Sequence, residues 1–237
     1  MNTEKETPDV TFDTFAENYN AVHRKNLGVF GKDIDVFARY KVQLTAKLLS
    51  FSPKTIFEFG CGIGKNLPFF RQLFPNALLY CSDISDLSLQ KASENLPGLI
   101  CFNSSLPEAL APFSETFDLV FLSCVLHHIP LQERQTWVNA LARTVRPGGC
   151  LIIFEHNPWN PATRYLVSTC PFDKGVSLVR PKHCFQFLKQ SGLQVDRIRY
   201  TLIFPWRNSA FVAVEAFLDR IPLGGQYCVL ARKPLYA

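Results

Sequence analysis

Three groups of residues in this chain have types and spacing suited to chemistry. Glu58, Gly60, Gly62 and Gly64 alternate within Phe-Glu-Phe-Gly-Cys-Gly-Ile-Gly-Lys, residues 57–65. Asp83 closes a second apolar run, and His127, His128 and His156 follow two later ones. Glycines at a turn let the backbone come close to a ligand, and the free N–H groups of a helix start favour an anionic group. A carboxylate at a strand tip can accept both hydroxyls of a ribose. An imidazole titrates near neutrality and can take the proton of a hydroxyl acceptor.

The elements that must hold these residues can be read from the pattern around them. Ile56, Phe57 and Phe59 form a short β-rich run that stops at Gly60, and Leu67, Phe69, Phe70 and Leu73 then repeat at helical spacing. Strand, glycine turn and helix start together form the ligand-binding end of a parallel α/β sheet. Residues 77–83 give a second strand, and Ser85 is placed to cap a helix over Asp86–Asn95, leaving Asp83 for the ligand. Leu99–Phe102 is a third strand running into the polar turn Asn103-Ser104-Ser105-Leu106-Pro107. Phe117–Leu122 is the fourth, and Cys150–Phe154, after the Arg-Pro-Gly-Gly stop of a helix, is the fifth.

The spacing also separates cofactor classes. A dinucleotide fingerprint needs a glycine at position 65, where this chain has Lys. The E-x-G-x-G-x-G run, the acidic strand tip, the polar turn, F-D-L-V with V-L-H-H-I, and R-P-G-G-x-L follow one another over residues 50–156. In that order they resemble the class I methyltransferases that use S-adenosylmethionine (SAM). The resemblance implies a Rossmann-like, seven-stranded, mostly parallel α/β sheet with helices on both faces and the last strand antiparallel. It implies SAM as cofactor, held by Glu58, Gly60, Cys61, Gly62, Gly64, Asn66, Asp83, Ile84 and Ser123, with Ser104, Ser105 and Leu106 around the adenine. Tyr19 and Lys41 are the candidates for the methionine carboxylate, and His128 and His156 for catalysis. The segments E-H-N-P-x-N-P at 155–161 and G-G-Q-Y at 224–227 look like those of a bacterial subgroup.

The flanks suggest what closes the site. Residues 12–26 and 33–50 read as two helices, expected to form an N-terminal helical lid over a single methyltransferase domain at 51–237. After the fifth strand, residues 155–180 leave the common pattern: Pro158 and Pro161 break regular structure, and a helix follows at 162–169. This insertion holds Glu155, His156, Asn157, Trp159, Asn160, Arg164 and Asp173 at the sheet edge where open α/β sheets bind ligands. It is the expected acceptor pocket, although a proline-stiffened loop with self-bonded Asn and Asp side chains would look the same. A helix at 180–192 and strands at 195–204 and 225–232 complete the chain.

Composition narrows the classes. The 237 residues suffice for one domain with a sizeable core. The eight cysteines show no C-x-x-C spacing, which suits reduced thiols in a cytoplasmic protein, and the five histidines lack metal-ligand spacing, so no metal is expected. No apolar run is long enough for a membrane span. The net charge of +5 comes without a basic stripe, and no N-P-P-Y-type tetrad follows the fourth strand, so a nucleic acid acceptor is not expected. The leading reading is methyl transfer to a small molecule or a lipid- or glycan-linked acceptor, through O or N. The alternatives are a protein acceptor, another transfer from SAM or a relative of it, and a non-catalytic SAM-fold binding protein.

Overall fold

The computed structural model describes residues 35–204, 214–215 and 217–235. The expected helix at 12–26, with Tyr19, lies outside them. Helix α1 (Val36–Leu48) precedes β1 (Thr55–Phe59), α2 (Leu67–Leu73) and β2 (Leu78–Asp83). Helix α3 (Asp86–Asn95), β3 (Ile100–Asn103), a 3-10 turn at Pro107–Phe113 and β4 (Phe117–Ser123) follow. Then come α4 (Arg134–Thr144), β5 (Val145–His156), α5 (Pro161–Thr169), α6 (Pro181–Gln190), β6 (Gln194–Thr201) and β7 (Gln226–Arg232).

The strands make one seven-stranded sheet in the order β3-β2-β1-β4-β5-β7-β6. All neighbours are parallel up to β5, and β7 runs antiparallel between β5 and β6. The order reverses at β1, between β2 and β4, which opens a crevice beyond the carboxyl ends of the strands.

Alternation along the central strands explains the two cores. Phe57, Val120, Leu122, Leu151 and Ile153 pack on one face with Val138 and Leu141 of α4 and Leu188 of α6. Ile56, Leu119, Phe121, Ile152 and Phe154 pack on the other with Val42 of α1 and Phe70 of α2. Strands covered on both faces read as unbroken apolar runs, as these do.

Several boundaries differ from the expected ones for local reasons. β5 begins at Val145 rather than Cys150, because Val145 already pairs with Phe117 across a register shift. Gly149 permits that approach: a Cβ there would lie 2.9 Å from the Asp118 carbonyl oxygen. Glu155 and His156, expected in the insertion, are the last two residues of β5. β6 ends at Thr201 rather than Phe204, where Leu202 turns to φ +58. Asp118, the acid of F-D-L-V, accepts the backbone N–H of Lys54 at 2.6 Å and of Thr55 at 2.9 Å and pairs with Arg146, tying the entry of β1 to β5.

Candidate active site

The glycines of the turn after β1 share one requirement and divide on a second. All three have positive φ: +66 at Gly60, +53 at Gly62 and +77 at Gly64, the left-handed region that glycine enters without strain. A Cβ on Gly60 would fall 2.6 Å from a Val125 methyl, and one on Gly64 would fall 2.9 Å from Ala92 Cβ on α3. A Cβ on Gly62 would meet nothing within 4 Å. Gly60 and Gly64 are therefore packing glycines. Gly62 faces the open space of the crevice.

Asp83, at the tip of β2, braces this turn. Its Oδ2 accepts the Gly62 N–H at 2.7 Å and its Oδ1 the Ser85 N–H at 3.1 Å. Ser85 caps α3, as expected, accepting the Ser88 N–H at 3.0 Å. The carboxylate thus supports the turn and still borders the crevice beside Ile84, since each of its oxygens can accept a further bond.

Glu58 lies beneath the turn and is buried. Asn66 Nδ2 donates to its Oε1 at 2.6 Å, while Oε2 is buried with no partner among the described residues. Burial is the main cause that raises the Glu58 carboxyl to about 8. From α1, Lys41 reaches the end of β4 and donates to Ser123 Oγ at 2.6 Å. At the tip of β3, Ser104 donates to Ser82 Oγ at 2.9 Å, and the Ser105 hydroxyl bonds Asn103 Oδ1 at 2.5 Å. Ser104 and Ser105 line the crevice, whereas Leu106 is exposed and Gly64 is turned to α3, both off its wall.

The far side of the crevice is built from the ends of β4 and β5. Cys124, next after β4, holds a left-handed φ of +59. Glu155 is buried at the end of β5; its Oε1 accepts the N–H groups of Val125 at 3.0 Å and Leu126 at 2.7 Å. Its Oε2 lies 2.7 Å from His127 Nδ1. The Nε2 atoms of His127 and His128 lie 3.3 and 3.4 Å from Asp173 Oδ1. Arg134 holds this loop from below, donating to the carbonyls of Ile129, His127 and Ser177.

The charges in this cluster sort by partner. Burial pushes the His127 imidazole down, but Glu155 and Asp173 outweigh it and raise it to about 10. Burial also works against ionisation of the two carboxylates, yet His127 holds Glu155 below its usual range and Asp173 down at about 2. His128 and His156 fall to about 4, through burial first and the neighbouring His127 charge second. Near neutrality an imidazolium sits between two carboxylates, flanked by two neutral imidazoles.

A cavity of about 590 Å³ joins the two sides, within the roughly 300–1,000 Å³ of ligand pockets. Glu58, Gly62, Asp83 and Ser104 line one part of it; His128, His156 and Asp173 line another. The segment after β5 folds over the cavity, contributing Asn160, Thr163, Leu166 and Phe172, and α1 contributes Phe37 and Lys41. Asn157 and Asn160 donate to the carbonyls of Gly224 and Leu223 at 2.7 Å each, and Thr163 to that of Gly225 at 2.8 Å. These bonds join residues 157–163 to residues 223–225 at the cavity rim. Trp159 stays outside, with Arg180 against its ring. Cys124, Trp137 and Gln226 line the cavity without having been singled out in the sequence. The position of Cys124 and Gln226 at strand ends is the signal that could have found them.

Comparison with known proteins bears on what the cavity serves. Residues 57–151 match a family described as a methyltransferase domain. The trans-aconitate 2-methyltransferase of Methylobacterium nodulans is 30% identical over 122 residues, covering 52% of this chain but 46% of that protein, so the chain spans less than half of that relative's length. A tRNA N(3)-methylcytidine methyltransferase of Schizosaccharomyces pombe is 27% identical over 183 residues, 71% of this chain and 68% of that one. The crystal structure of a SAM-dependent methyltransferase from Archaeoglobus fulgidus superposes with a TM-score of 0.67 at 14% identity, covering 91% of this chain and 99% of that one. The sheet therefore has the Rossmann-like fold of that enzyme, and residues 57–151 match a methyltransferase domain.

Proposed function

We propose that this chain is a SAM-dependent methyltransferase acting on a small molecule, free or attached to a lipid or glycan carrier, with a hydroxyl as the acceptor group. The observation that carries this reading is the single cavity bordered at one part by Glu58, Gly62 and Asp83 and at another by His128, His156 and Asp173. The first set suits the cofactor. Glu58 Oε2 is a buried acceptor without a partner among the described residues, which a primary ammonium would satisfy. Gly62 leaves room where any side chain would intrude, and Asp83 has acceptor capacity for ribose hydroxyls. Lys41 and the Ser104–Ser105 turn complete the set, for a carboxylate and an adenine edge.

SAM supplies a methyl group already activated by its sulfonium, so the chain's residues need only align, desolvate and deprotonate. Leu166 and Phe172, on the segment that carries Asp173, give the acceptor side apolar walls. His156 is neutral at physiological pH and borders the cavity, which fits it to take the acceptor's proton. In the balanced step the hydroxyl proton passes to the imidazole and the oxygen bonds the methyl carbon. The S–C bonding pair stays on sulfur.

The walls favour a small acceptor, while the name of the yeast relative points to tRNA. A transfer assay with methyl-labelled SAM, run separately on small-molecule, tRNA and protein fractions of a cell extract, separates these. Label in the small-molecule fraction supports the proposal. Label confined to tRNA or to protein overturns it.

A further inference from the structure

We propose that His127, His128 and Asp173 form a binding site for one divalent transition-metal ion, open toward the acceptor side of the cavity. No spacing along the chain signals it, since two ligands are adjacent and the third lies far along the chain. The fold brings one ligand atom of each within 4.8 Å of the others. A cation about 2.0–2.1 Å from nitrogen and oxygen ligands places neighbouring ligand atoms roughly 3–3.5 Å apart. His127 Nε2 and His128 Nε2 lie 3.3 and 3.4 Å from Asp173 Oδ1.

The surroundings of His127 are those of a metal ligand. Its Nδ1 meets Glu155 Oε2 at 2.7 Å. That carboxylate is itself fixed by two backbone N–H groups on Oε1. A carboxylate behind a ligating imidazole sets the tautomer, aims the other nitrogen and raises its basicity. Here the aimed nitrogen is Nε2, the one facing Asp173, and the ion binds by displacing to solvent the proton that Nε2 carries without it. Two imidazoles and one carboxylate favour zinc or a similar first-row ion over magnesium or calcium, which prefer oxygen alone. Three protein ligands also leave a coordination position free, as catalytic sites do. All three residues border the cavity, so a hydroxyl or carboxylate of the acceptor can fill that position. His156 is not among the three and keeps its role as base.

The role assigned to the ion rests on the cavity being the methyl-transfer site, but its binding can be tested separately. The full chain is stripped with a chelator and titrated with Co²⁺, whose visible absorption reports ligation by nitrogen and oxygen, in parallel with calorimetric titration of S-adenosylhomocysteine. We expect one Co²⁺ per chain, with affinity at least about tenfold weaker in Asp173→Asn and in His128→Ala and unchanged affinity for the nucleoside. Absence of stoichiometric Co²⁺ binding, or wild-type affinity in both variants, overturns the metal site. If Asp173→Asn loses the nucleoside through misfolding, His128→Gln decides, because His128 is partly exposed on the cavity wall. Failure of the wild-type chain to bind the nucleoside, with Co²⁺ still bound, would strike the methyltransferase reading and leave the ion site standing.

Discussion

Asn66 Nδ2 donates to Glu58 Oε1 at 2.6 Å and leaves Oε2 buried without a partner among the described residues. One oxygen of this carboxyl is satisfied by the protein and the residue borders the cavity, so its protonation should respond to what enters.

Burial raises the Glu58 carboxyl to about 8, so the empty site holds it protonated near neutrality. A bound ammonium would ionise it. Affinity for S-adenosylhomocysteine should then rise with pH below 8, by up to about tenfold per unit, with release of up to one proton. Calorimetry in buffers of different ionisation enthalpy measures that proton. In Glu58→Gln the release should vanish and affinity fall roughly 10–100-fold, the loss of one charged hydrogen bond. Proton release that persists in the variant would assign the linkage elsewhere.

Two glycines separate binding from stability. Gly62→Ala places a methyl in open cavity space, and Gly64→Ala drives one to 2.9 Å from Ala92 Cβ. Both carry left-handed strain, of order 1–3 kcal/mol. The Gly64 variant adds overpacking of about the same size. Thermal melts should show the larger drop for Gly64→Ala. Titrations on folded protein should show the larger affinity loss for Gly62→Ala. The reverse pattern would mean that the turn has been assigned the wrong way round.

The region from β1 to β5 was legible because its strands are apolar runs with clear ends, as where β1 stops at Gly60. Asp83 and Ser85 could be read because their roles are local, although the bond from Gly62 N–H to Asp83 was not visible. The histidine cluster was less so. His127 pairs with Glu155, which lies 28 positions away, and no periodic signal links residues on two strand ends. Asp118 stood in a recognisable phrase, but its partners Lys54 and Arg146 come from two other segments. The acceptor wall was anticipated as a region rather than as particular side chains, because which groups turn inward depends on the bonds of Asn157, Asn160 and Thr163 to residues 223–225.

Stability should peak near neutral pH, with opposite signs from neighbouring histidines. His127 is raised from 6.5 to about 10, so its contribution is complete below 6.5 and is lost as pH climbs toward 10. His128 and His156 are depressed from 6.5 to about 4, so the native state loses stability as pH falls through that window. Glu155→Gln leaves the imidazolium with one carboxylate and should cost about 3–5 kcal/mol at neutral pH, with the alkaline loss moved to lower pH. Denaturant unfolding across pH checks this. An alkaline limb identical in the wild type and in Glu155→Gln would exclude His127 as its source.

If the glycine turn and Asp83 hold SAM, calorimetric titration of S-adenosylhomocysteine into the wild-type chain and Asp83→Ala will show it. Saturable binding at one site per chain is expected. The variant should be weaker by about 1–3 kcal/mol while it remains folded by circular dichroism, and NADH should give no heat in either. Equal affinity in the folded variant, or binding of NADH without any response to the nucleoside, would contradict the account.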